Sequence, residues 1–180
     1  MSVSFRTVSN VRLACGAVVA AAALACAPTW AQSTKLASAD QTMLKDIAQA
    51  NIAEVESGKL ALEKSQNDDV KKFAQTMVDD HSKALSEVQK LAESKSVALP
   101  TDPDVKHKAV MLEFKALSGK TFDSRYVKQA GVGDHEATDK LLKKTQATAK
   151  DADLKALAGK MLPVVEGHLQ HARDLAKMKG

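Results

Sequence analysis

Cysteine, aromatic residues and charge of a single sign are all scarce in this chain of 180 residues. Its two cysteines, Cys15 and Cys26, and its one tryptophan, Trp30, lie within the first 31 residues. Beyond them the chain has no disulfide framework and no thiol ligand. The aromatics past that point reduce to Phe73, Phe114, Phe122 and Tyr126. The 26 basic and 22 acidic residues are interspersed, so there is neither a one-sign stripe nor aromatic interleaving, and nucleic-acid binding has no support. No window alternates with period two, which argues against a sheet. A phosphate-cradling glycine loop, a nucleophile–base pair and a metal-hydrolase motif are missing too, so no catalytic residue is assigned and no enzyme is expected.

What is present begins with an export signal. Arg6 and Arg12 precede a nearly unbroken Ala/Val/Leu run over 13–27, which at 15 residues is shorter than the roughly 20 of a membrane span. Small residues flank Trp30 at Thr29 and Ala31, predicting cleavage before Gln32. Residues 1–31 are therefore read as a signal peptide, 32–38 as a short linker and 39–178 as one folded domain in the periplasm. A lipoprotein anchored to the outer membrane at Cys26 is the alternative, since Ala23, Leu24 and Ala25 precede that cysteine. Losing Arg6 and Arg12 leaves 24 basic against 22 acidic residues, a nearly balanced surface.

The folded part reads as a duplicated helical hairpin. The stretch from Asp69 to Val78 is answered by Asp153 to Leu162 at a shift of 84, and Leu62 to Gln66 by Leu142 to Gln146 at 80. The difference predicts a longer turn in the second copy. Each hairpin would leave an apolar stripe exposed, so two should close as a four-helix bundle. Ser38 with Gln41 resembles a capping box opening the first helix, with a stripe of Leu44, Ala48, Val55 and Leu62. Asn67 caps the second, which buries Val70, Phe73, Met77, Leu85, Val88 and Leu91. Asp102-Pro103 starts a short connecting helix to about Leu117. A long helix from about Thr121 to Lys150 follows on Phe122, Tyr126, Val127, Ala130, Ala137, Leu141 and Leu142. The last, to about Lys177, lies on Leu154, Leu157, Met161, Val165, Leu169, Ala172 and Leu175, with Pro163 inside it.

Polar residues interrupt each stripe near mid-helix: Asn51, His81, Asp134 with His135 beside it, and His168. Two readings are open. In one, the belt is a structural layer that only fixes helix register while exposed faces meet an unidentified envelope partner. In the other it holds a transition metal such as copper, zinc or iron, because facing bundle helices carrying His and carboxylates are how such centres are built. The metal set is then His81, Asp134, His135 and His168, with Glu54, Glu166 and His171 as supporting ligands. A di-iron oxidase is disfavoured, since the positions three residues before His81, His135 and His168 are Val78, Val132 and Val165 instead of glutamate.

Several segments carry a resemblance: Ala53 to Ala61, Asp69 to Ala74, Met77 to Ala84, Leu99-Pro100, Phe122-Asp123 with Tyr126-Val127, Asp134-His135-Glu136, and Leu162-Pro163 with His168-Leu169. Together they resemble a bacterial family of unknown function with a ferritin-like fold, often labelled "predicted outer membrane protein". The resemblance covers about residues 40–178. It implies an exported, ferritin-like envelope domain, an accessory or stress-related binding protein without an assigned activity, and it transfers no catalytic residue. The mature chain has no span and no barrel-type strands, so membrane association would be peripheral or through lipid on Cys26.

Overall fold

The computed structural model describes residues 1–2 and 35–178. The signal peptide, its cleavage before Gln32, the lipidation alternative at Cys26 and most of the 32–38 linker lie outside the described residues. Six α-helices and one π-helical segment follow in order: α1 (Ser38–Lys64), α2 (Asp68–Ser94), α3 (Val105–Ala116), α4 (Gly119–Tyr126), the π segment (Val127–Asp134), α5 (His135–Thr148) and α6 (Ala152–Lys177). No strand occurs among the described residues. No described helix is long and apolar enough to cross a membrane.

The architecture is a ferritin-like four-helix bundle. α1 packs on α2, the continuous rod α4–π–α5 packs on α6, and α6 joins the hairpins through α2. Side-chain oxygens close three of the helix starts. Asn67 Oδ1 accepts from the amides of Asp69 and Val70, Asp104 Oδ1 from His107, and Asp151 Oδ1 from Leu154. Ser38 does not cap α1: it is already the first helical residue, after Ala37, and Gln41 reaches back to the Leu36 carbonyl instead. The cap of α3 is Asp104, two residues later than Asp102. Buried Asp40 ties the hairpins together, its Oδ2 accepting from the Lys150 and Asp151 amides at 2.9 and 2.8 Å.

The two hairpin turns, 65–67 and 149–151, are equal in length, so the second copy has no longer turn. A single shift of 84 relates the hairpins. Buried Asn51, Gly58, Ala61, Val70, Ala74 and Met77 correspond to buried His135, Leu142, Thr145, Leu154, Ala158 and Met161.

Burial agrees with every stripe position read for α6, which runs on through Pro163. The rod α4–π–α5 departs from its expected stripe. The buried line passes Val127 and Ala130 but continues through His135, Thr138, Leu142 and Thr145, leaving Ala137 exposed. The physical reason is the π segment. Its wider turn takes up one more residue than an α turn, so every side chain downstream is displaced by one position. Gly131 lets this broadened segment approach α6, since a Cβ there would lie 2.9 Å from Ala172 Cβ and 3.4 Å from the Phe73 ring.

The apolar interior is divided in two. One cluster holds Leu44, Ile47, Val88, Leu142, Leu154 and Val165; the other holds Val70, Phe73, Phe122, Tyr126, Ala172 and Leu175. Each of the four rods buries a polar residue between the two clusters: Asn51 and Glu54 on α1, His81 on α2, His135 on α5 and His168 on α6. The bundle thus has a hydrophilic waist between two largely apolar halves.

Candidate metal centre

Three histidines meet at this waist. His81, His135 and His168 are all buried, and one ring nitrogen of each lies within 4.8 Å of those of the other two. Their ring centroids form a nearly equilateral triangle of 5.3, 5.4 and 5.5 Å.

Hydrogen bonds assign the protons. Asn51 Nδ2 donates to the Ile47 carbonyl at 2.7 Å, which turns its Oδ1 towards His81 Nδ1 at 2.9 Å. An amide oxygen accepts only, so His81 carries its proton on Nδ1 and has a bare Nε2. His135 Nδ1 donates to the Ala130 carbonyl at 2.8 Å, five residues back along the π segment, which bares His135 Nε2. His168 Nε2 donates to Asp80 Oδ2 at 3.1 Å, and its buried Nδ1 has no partner. Each ring is thus held at its outer nitrogen by a fixed acceptor while its other nitrogen carries a lone pair. Such outer hydrogen bonds orient imidazole ligands in metal sites.

The bare Nε2 atoms of His81 and His135 stand only 3.3 Å apart. With both outer nitrogens donating, neither neutral ring has a proton to place between them. A proton or a cation must occupy that gap, or the two lone pairs repel. Protonation is opposed by the surroundings. Burial pushes the His81 pKa well below its ordinary value, and the neighbouring His135 and His168 add to this. Burial lowers His135 to about 4, partly offset by its bond to Ala130. His168 is lowered by burial, against the bond to Asp80. Near neutral pH the triangle is therefore three uncharged imidazoles, the protonation state that ligates metals. Nitrogen ligands about 2.0 Å from a shared ion sit roughly 3.3–3.5 Å from one another, which is the His81–His135 separation already present.

The other residues read from the sequence are placed differently. Asp134 is buried but points away from the triangle: its Oδ1 accepts from Gln129 Nε2 at 3.0 Å and Lys106 Nζ at 3.2 Å, with His107 Nε2 at 3.7 Å. The one-residue displacement by the π segment explains why His135, and not Asp134, faces inward. Glu166 is exposed and pairs with Lys143 at 3.0 Å. His171 is exposed, its ring edge-on to Phe73 at 5.2 Å. Glu54 is buried, with Oε1 3.4 Å from His135 Nδ1 and Oε2 unpartnered. Burial, reinforced by the charge of Asp134, holds its carboxyl well above the usual range, which favours its neutral form beside the triangle.

His107 escaped the sequence reading because α3 shows no apolar periodicity to place it. It bridges two acids, Asp104 at 2.8 Å and Asp134 at 3.7 Å. Asp134, acting by charge at that distance, and Asp104 raise its pKa against burial. Burial alone would raise Asp134 too, but His107 and then Lys106 carry it below its ordinary value. That cluster is internally neutralised and separate from the three rings.

A family model described as a domain of unknown function, DUF4142, matches residues 25–175. The chain belongs to the DUF4142 family. None of the curated proteins matches it. Among solved structures, the DUF305 fragment from Deinococcus radiodurans superposes with a TM-score of 0.71 at 9% identity, covering 80% of this chain and 99% of that one. A DUF305 protein from Streptomyces coelicolor gives 0.68 at 17%, covering 79% and 92%. CopM in its Cu(II)-bound form gives 0.64 at 11%, covering 77% and 95%. At these identities the likeness is one of fold. It agrees with the ferritin-like bundle built above.

Proposed function

We propose that this DUF4142 protein is an exported, non-enzymatic accessory protein of the cell envelope that holds one transition-metal ion between His81, His135 and His168. The observation that carries this reading is the pair of bare, buried Nε2 atoms of His81 and His135 at 3.3 Å, with an unpartnered His168 Nδ1 completing the triangle. Copper is favoured over zinc and iron. Imidazole suits copper, the Irving–Williams order ranks it highest, and CopM, a structural neighbour, is a copper-bound protein. Export rests on the leader over residues 1–31, with the periplasm as destination.

The reading in which the waist only fixes helix register has one observation in its favour. Each ring also makes a hydrogen bond that a purely structural layer would need. Equilibrium dialysis of the exported protein against copper, zinc and iron salts, followed by elemental analysis, separates the two. Metal binding requires about one ion per chain, lost in His81→Ala and His135→Ala and kept in His171→Ala. No retained metal, or undiminished retention in the triple histidine variant, leaves the register layer. Intact-mass measurement of the same sample checks cleavage before Gln32.

A further inference from the structure

The connecting helix α3 is apolar on two sides. Its inner side sets Phe114 edge-on against Phe122 and Tyr126, with ring centroids 6.0 and 6.1 Å apart, and rests Val110 and Met111 on the same cluster. Turned away from these, Val105, Ala109, Leu112 and Ala116 follow at i, i+4, i+7 and i+11, and all four are exposed. At the α-helical period they fall within an arc of about 60°. Val105 is 85% and Leu112 69% exposed, and the next branched aliphatic side chain among the described residues is Val164 at 45%. The helix already has a core face, so this outer stripe is surplus to folding. Its edge is basic. Lys108 and Lys115 flank the stripe on one side, and Lys120 follows in the first turn of α4. The two acids of residues 104–120 are committed, Asp104 to His107 and Glu113 to Arg125, while Lys108, Lys115 and Lys120 enter no ion pair among the described residues. Lys64 adds a further cation at the C-terminal end of α3, where its Nζ donates to the Lys115 carbonyl at 2.6 Å.

We propose that the outer side of α3 is a docking face for an anionic phospholipid surface, with Val105, Ala109, Leu112 and Ala116 set below the headgroups and Lys108 and Lys115 reaching up to them. The charge selects this occupant. A stripe of apolar side chains edged by uncommitted lysines is the pattern of helices that lie in the plane of a bilayer, their lysine stems alongside the apolar atoms and their ammonium groups in the headgroup layer. Phe114 anchors α3 to the bundle before it docks, so binding carries little ordering cost. A second copy of the chain fits this face worse. The 12 residues of α3 span about 18 Å, and four short side chains over that length expose far less than the roughly 800 Å² per partner of a stable interface. Antiparallel self-pairing would also set Lys108 and Lys115 against their own copies. This face is separate from the histidine triangle and does not depend on the metal reading.

The test is co-sedimentation of the chain beginning at Gln32, which carries neither leader nor lipid, with vesicles of phosphatidylglycerol and phosphatidylcholine in equal parts, beside vesicles of phosphatidylcholine alone. It is run on the wild type, on Val105→Ser with Leu112→Ser, on Lys108→Gln with Lys115→Gln, and on Val164→Ser as an exposed apolar control on α6. All these side chains are at the surface, and thermal melting checks that the fold persists. The wild type should partition onto the anionic vesicles about tenfold or more above the neutral ones, a preference that roughly 1 M salt removes. The paired serine variant should lower that partition by about tenfold or more, the paired glutamine variant by a similar factor on anionic vesicles alone, and Val164→Ser should stay within about twofold. The proposal is overturned if the wild type stays in solution with both vesicles, or if either paired variant binds as the wild type does. It is equally overturned if the wild type ignores the vesicles and forms a dimer that the serine variant dissociates, since the stripe is then a face between copies of the chain.

Discussion

Replacing His135 by leucine should flatten the acid sensitivity of the metal-free protein. Burial holds the His135 ring at a pKa of about 4 in the folded state, against about 6.5 in an unfolded chain. Between those values the unfolded chain binds a proton that the folded ring refuses, so acid favours unfolding. The stability from this depressed pKa is present above about pH 6.5 and is lost as the pH falls towards 4. For one such group, lowering the pH from 7 to 5 removes about 2 kcal/mol. His135→Leu deletes this term. It also removes a charge partner from His81, whose own contribution then shrinks in the same direction. At pH 7 the variant forfeits the bond to the Ala130 carbonyl, about 1 kcal/mol, and is relieved of the facing lone pairs. We expect near-equal stabilities at pH 7 and a loss on going to pH 5 that is about 2 kcal/mol smaller than in the wild type. Urea unfolding followed by far-ultraviolet circular dichroism, with a chelator present, measures both. An unchanged or steeper pH dependence in the variant would refute the claim that His135 is a buried, uncharged ring.

Other outcomes follow from the same contacts. Saturating the centre at about 100 times its dissociation constant should add about 2.7 kcal/mol of stability, read as a rise in urea midpoint that His81→Ala abolishes. Asn51→Leu strands the buried His81 Nδ1–H, so it should cost about 1–3 kcal/mol and weaken metal binding by about 10–100-fold, both measurable on one sample by unfolding and competition titration. Gly131→Ala pushes a methyl against Ala172 and Phe73 and should destabilise by about 1–3 kcal/mol, whereas an unaltered melting curve would mean that α6 yields there. Asp40→Ala exposes no new group at the waist. It should lower stability by about 2 kcal/mol through the lost Lys150 and Asp151 amide bonds, with metal stoichiometry unchanged by elemental analysis.

How far this molecule was legible beforehand depended on whether a rod kept the α-helical period. α6 does, and its stripe from Leu154 to Leu175, His168 included, is readable position by position. The rod α4–π–α5 does not, because a π turn between Val127 and Asp134 leaves no mark in a pattern of apolar spacing. Counting at the α period therefore aimed Asp134 and Ala137 at the other helices, where the folded chain turns His135 and Thr138 inward, while Leu142, also read on the stripe, is buried as expected. The glycines at 131 and 133 were the local hint. Glu54 was read as a supporting ligand, but its burial was not legible, for a different reason. A carboxylate in a stripe reads as a solvated flank, and only the close α1–α2 approach at Gly58, 2.9 Å from Val78 if a Cβ were added, shows how tightly that face is packed. The repeat was legible, but its 80-residue component arose from similar residues and not from equivalent places. Asn51 and His135 are the equivalent pair at the waist, and they do different work there.

The most direct measurement is a long-range ¹H–¹⁵N spectrum of the histidine rings in the metal-free protein at pH 7, repeated after one equivalent of metal. The lone pairs assigned above predict His81 and His135 as Nδ1–H tautomers and His168 as the Nε2–H tautomer, with the three remaining nitrogens shifting together when the ion is added. A charged imidazolium in the triangle, an Nε2–H tautomer at His81 or His135, or a metal addition that moves none of the three would contradict the account.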